Sequence, residues 1–125
     1  MTPAEAMQRL MFHTRPEPGS FLNMLRPYRG LDANVMRDVA QSLRVCAERF
    51  QDERVPRELI SAVWALSHLG RLWALEPDGM LRRNGLISDE DQTTLSAFLD
   101  RFEYAVMMLL DRAPDAALAG WTDDI

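Results

Sequence analysis

DANVMRDVAQSLRVCAERFQD, residues 32–52, is the stretch that decides the fold. Met36, Val39, Leu43, Cys46 and Phe50 recur at alternating spacings of three and four, while Arg37, Asp38, Gln41, Arg44 and Glu48 take the other side. A period near 3.6 puts the first set on one stripe of an α-helix and the second set in water. Asp32 stands where an N-cap accepts amide protons, so a helix is expected from there to about Asp52.

Working outward, Arg54 to Pro56 make a short joint, and a helix is expected from Arg57 to about Leu75. It is apolar nearly all round, with Leu59, Ile60, Val63, Trp64, Leu66, Leu69, Leu72, Trp73 and Leu75, as a central bundle helix would be. EPDG, residues 76–79, ends it. A last long helix takes Leu95, Phe98, Leu99, Phe102, Val106 and Leu109 inward and stops at Pro114, and a terminal turn brings Trp121 back.

Upstream, Thr2, Pro3 and Glu5 signal a helix start, and Met7, Leu10 and Met11 form a short stripe. Pro16, Pro18 and Gly19 end that helix. Ser20 caps a brief helix through Phe21, Leu22, Met24 and Leu25, which Pro27 stops. The segment 15–31 is then a long connection with apolar anchors, of a kind that is often functional or packed down as a lid.

These elements share no period of two, so the expected fold is all-α, an antiparallel helical bundle of four main helices plus one or two short ones. With 125 residues, one domain is expected: a short helix and connection over 1–31, three long helices over 32–113, and a turn and tail over 114–125. The expected core includes Val39, Leu43, Phe50, Val63, Leu66, Trp73, Leu95, Phe98, Phe102 and Leu109.

The charge balance narrows function. Nineteen acids against fourteen bases give a net charge of -5, which repels polyphosphate, so no nucleic-acid partner is expected. Every base is arginine, which excludes a lysine Schiff base. Cys46 is the only cysteine, so no disulfide closes within the chain. No basic, then apolar, leader opens the sequence and no run approaches eighteen apolar residues. A cytoplasmic protein with no membrane partner is expected.

RRNGLISDED, residues 82–91, is spaced like the second half of a calcium loop around Gly85. Its earlier ligand positions would fall on Met80 and Arg82, and neither offers an oxygen. Asn84 and Gly85 as a turn, Ser88 as N-cap and Asp91 as the third helical residue account for the whole stretch. His13 and His68 lack the Glu-x-x-His pattern of di-iron bundles, no serine sits in a nucleophile elbow, and there is no phosphate loop. No metal, no cofactor and no catalytic set is expected.

Three features exceed what a plain bundle requires. Trp64, His68 and Arg71 project within about 60° of one another, on the arc that also holds Arg57, Ser61 and Ser67. The favoured expectation covers Trp64 with the 15–31 segment and stacks Arg71 on it; the alternative makes Trp64 an anchor for a partner. Tyr104, Met107 and Met108 point away from the inner stripe of the last helix, toward either the N-terminal helix or a two-fold interface. The third is a set of loop arginines, at 15, 26, 29, 82 and 83, which would make an anion site only if the loops converge.

Two functional readings follow. In the first the chain is a non-catalytic protein-interaction module (an adaptor, regulator or toxin-neutralising subunit) whose partner is another protein or a second copy. In the second, the 15–31 segment lids a ligand pocket lined by Trp64, His68, Arg71 and Tyr28, with His68 as an acid or base.

Overall fold

The computed structural model describes residues 1–121 and is all-α. Four long helices carry it: α1 (Pro3–Phe12), α3 (Ala33–Val45), α4 (Arg57–Gly70) and α6 (Asp89–Leu110). Three short ones, α2 (Phe21–Leu25), α5 (Met80–Arg83) and α7 (Pro114–Leu118), join or close them. No helix among the described residues is long and apolar enough to cross a membrane. The expected tail over 122–125 lies outside the described residues.

The helix starts are the ones the side chains dictate. The hydroxyl of Thr2 accepts from the Glu5 amide, that of Ser20 from Asn23, and that of Ser88 from Asp91. The Asp32 carboxylate accepts from the amides of Asn34 and Val35. Each bond satisfies a donor that the first helical turn leaves without a partner, typically stabilising by about 1 kcal/mol.

Two helix ends differ from expectation. The helix from Asp32 does not continue as α-helix to Asp52; it ends at Val45, pivots at Cys46 and tightens into a 3-10 turn over Ala47–Gln51. At three residues per turn, Ala47 and Phe50 fall on one side, and both are buried. Cys46 at the pivot is fully buried, its thiol donating to the Leu43 carbonyl at 3.7 Å. The next helix likewise stops at Gly70 and widens into a π segment over Arg71–Leu75. Gly70 passes so close to α6 and α2 that an added Cβ would lie 3.1 Å from Leu99 and 3.5 Å from Phe21.

One core cluster draws on every element. Ala6 and Leu10 of α1, Met36, Val39 and Leu43 of α3, Leu59 and Leu66 of α4, and Leu95, Leu99, Phe102 and Leu109 of α6 all belong to it, with α1 packed on α3 and α4 on α6. Each such buried Leu or Phe stabilises by about 1.5–3 kcal/mol against leaving it exposed. Trp73, expected in this core, is only half-buried, with the Arg26 guanidinium 5.5 Å from its ring. The 15–31 segment is anchored rather than laid over the surface: Phe21, Leu22 and Leu25 are buried, and Phe21 stacks on Phe98. α7 folds against α6 and buries Ala117, and Trp121 is buried beside it under Arg101.

Candidate interaction face on α4 and α6

Spacing along α4 makes a ridge. Ile60, Trp64, His68 and Leu72 follow one another at four-residue steps on the side away from the core, and all four are exposed. Trp64 is the most open of the large apolar side chains, 65% exposed. The favoured expectation of a cover over it is therefore corrected. Residues 15–31 spend their apolar anchors on the core on another side, and Arg71 does not stack on Trp64. The indole lies instead against its own helix, on the His68 ring, with centroids 5.0 Å apart.

Arg71 turns to α6. Its Nε donates to Glu103 Oε2 at 2.8 Å, and one terminal nitrogen donates to Glu103 Oε1 at 2.7 Å and to Asp100 Oδ1 at 2.6 Å. The Ser67 hydroxyl also donates to Glu103. The Arg71 hydrogen bond holds the Glu103 carboxyl below its usual range, against an opposing push from burial, and Ser67 adds to it. Donating to Glu103 raises Arg71 in turn. Asp100 and Glu103 are thus the acceptors that fix α4 on α6.

Trp64, Ser67, His68, Arg71, Leu72 and Glu103 line a cleft of about 450 Å³ that runs on to Glu76, Asp78 and Gly79. The chemistry of this cleft is largely spent on itself. An anion entering it would meet a guanidinium that two carboxylates already hold through Nε and one terminal nitrogen. Tyr28, expected among the lining residues, is not brought here. Its hydroxyl donates to Asp91 in the first turn of α6, and burial, together with that bond, raises its pKa.

Beside the cleft, toward the end of α6, Ile60, Val63 and Trp64 of α4 meet Phe102, Val106, Met107 and Leu110 of α6 around an apolar groove of about 380 Å³. Trp64 belongs to both, so of the residues singled out in the sequence Trp64 and Met107 share one face. Met107 is 54% exposed and Tyr104 nearly as open. Met108 is not part of that open surface: it packs against the core cluster on the flank where α7 folds back. Tyr104 borders that flank, with Arg101 5.8 Å from its ring and 4.8 Å from that of Trp121. Of the arginines expected in loops, Arg82 and Arg83 lie in α5; Arg26 covers Trp73 and Arg82 donates to the Leu75 carbonyl.

A second polar cluster escaped the sequence reading. His13, at the end of α1, is wholly buried; its Nδ1 accepts the Phe21 amide at 3.0 Å and its Nε2 lies 2.7 Å from Asp38 Oδ2. An imidazole that accepts at Nδ1 must carry its proton on Nε2, so the neutral ring donates to Asp38. Arg9 donates to the same oxygen from Nε and a terminal nitrogen, at 3.1 and 2.9 Å. Burial holds the His13 pKa down despite the pull of Asp38. The cluster ties α1, α2 and α3 together. The only sequence hint was a histidine beside the RPEPGS break, four residues beyond Arg9 on α1. No family model, curated protein or solved structure matches this chain.

Proposed function

We propose that the chain is a non-catalytic protein-interaction module that docks through the α4–α6 face, working in a reducing, cytoplasmic setting suited to its single buried thiol. One observation carries the reading: Ile60, Trp64, Met107 and Leu110 crowd exposed apolar surface into one grooved strip beside a polar rim. Contiguous apolar surface with an open tryptophan marks a contact for another protein, because leaving it in water is costly and aromatic anchors dominate interfaces. The groove has the form that accepts an amphipathic helix or a helical layer through anchors spaced one turn apart.

The ligand-pocket reading has the cleft beside Trp64 and His68 in its favour. Against it stand the pairing of Arg71 with Glu103 and Asp100 and the placement of Tyr28 elsewhere. The test is a photo-crosslinking side chain at Met107, with a control at Gln8 on α1, in cells making the protein. A discrete adduct from position 107 and none from position 8 is expected. No adduct at position 107 overturns the reading.

A further inference from the structure

The face carries a charge pattern that selects its occupant, and this step rests on the docking reading above. On α4, Arg57 lies seven residues before Trp64, within about 20° of it around the helix, and His68 and Arg71 follow on the same side. On α6, Asp100 and Glu103 precede Met107, and Asp111 follows it within about 40°. Arg57 and Asp111 therefore put opposite charges on the two ridges at one end of the face, with the apolar groove between the ridges. The two ridges are ordered in opposite senses, since Ile60 shares the groove with Leu110 while Arg71 reaches Asp100. The Arg57 end of α4 thus lies beside the Asp111 end of α6.

We propose that the occupant is a second copy of this chain, docked about a two-fold axis that runs along the groove and lays α4 of each protomer on α6 of its partner. Two kinds of two-fold axis lie in the plane of such a face, along the helices or across them. The axis across the helices sets α4 on α4, bringing Arg57 to Arg71 and Asp111 to Asp100, like on like at both ends. The axis along the helices sets opposite charges together. Arg57 then meets Asp111 at one end and each Trp64 meets the other protomer's Met107, while Arg71 at the far end keeps the bonds to its own Asp100 and Glu103. Such a contact is self-complementary, as a two-fold interface must be. It makes a four-helix layer with aromatic and methionine side chains at its centre and charge at its rim. Charge opposition of this kind fixes register and rejects the wrong alignment.

The test is absolute mass by light scattering on the full chain over a concentration series, for wild type, Arg57→Asp, Asp111→Arg and the pair combined. The first substitution puts an acid in the first turn of α4 and the second puts a base at the end of α6. Both suit the helix dipole, so neither threatens the fold. The expected result is a wild-type dimer whose dissociation constant rises about tenfold or more in each single variant and returns to near wild type in the combined one. A wild-type monomer at about 0.5 mM, where an interface of ordinary size is saturated, overturns the proposal. So does a dimer that neither reversal weakens. A monomer that still crosslinks to another protein through Met107 defeats the second copy and leaves the docking face standing; a monomer with no adduct defeats both.

Discussion

The Trp64 indole lies flat on the His68 imidazole, the two planes only 9° from parallel and one helical turn apart. The stack holds a large aromatic side chain in one orientation while 65% of its surface stays in water. An anchor held this way loses little further freedom when it is covered.

Truncating it should then cost almost nothing in the isolated fold. Trp64→Ala is expected to change the unfolding free energy of dilute protein by no more than about 0.5 kcal/mol in urea. Trp121→Ala, at a ring only 8% exposed under Arg101, is expected to cost about 2–4 kcal/mol. Equal losses at the two positions would mean that Trp64 is covered by its own chain.

The Arg71 network makes unequal demands on its two acids. Glu103 takes two bonds from Arg71 and one from Ser67, whereas Asp100 takes one and is well exposed. Glu103→Ala should destabilise by about 1 kcal/mol and Asp100→Ala by about 0–0.5 kcal/mol. Double-mutant cycles with Arg71→Ala should give the larger coupling to Glu103; the reverse order would contradict the geometry.

Acid should loosen the joint between α1, α2 and α3. The His13 pKa is lowered by burial from its ordinary 6.5, so the unfolded chain binds a proton there before the folded one does. Stability must fall as pH drops below about 6.5 and level off below the folded value. For Asp38, burial pushes the pKa upward, but bonds from His13 and Arg9 prevail and hold it under 3.8. Its contribution is present above 3.8 and is lost as pH falls through the lowered value. Urea melts from pH 8 to 3 should show both phases; His13→Phe should flatten the upper one and, by removing a bond to Asp38, shrink the lower one. An unchanged slope between about pH 7 and 5 in that variant would rule His13 out as the source.

Gly79 caps α5 in a place with no room for a side chain. A Cβ there would collide with the Leu72 carbonyl oxygen and sit 2.9 Å from that of Glu76. These are backbone atoms at the end of the π segment and cannot swing aside. Gly79→Ala should cost about 2 kcal/mol or more. Gly85→Ala, strained only by its φ of +66° in open space, should cost about 1 kcal/mol. Thermal melts of the two variants give the comparison.

What could be read in the sequence was local. Thr2, Ser20, Asp32 and Ser88 cap helices because each cap is decided within four residues, and the stripe from Met36 to Phe50 is buried because a period needs no knowledge of neighbours. The 3-10 and π endings could not be read, since they answer to tertiary fit: Phe50 must reach the core, and α4 must pass Leu99 at Gly70. Trp64, His68 and Arg71 do line one cleft. Whether it was covered turned on where Phe21, Leu22 and Leu25 were spent, which periodicity does not say. His13 was missed for a related reason. Its partners Asp38 and Phe21 lie 25 and 8 residues away, and no spacing rule joins them.

The pivot at Cys46 gives the protein a stopwatch. Burial pushes its thiol up to about 12, and the side chain has no exposed surface. Only the thiolate attacks a disulfide reagent, so the folded chain is silent and each labelling event dates an opening of the turn between α3 and Phe50. With a single cysteine in the sequence, one exponential reads the lifetime of that closed joint without any engineered probe.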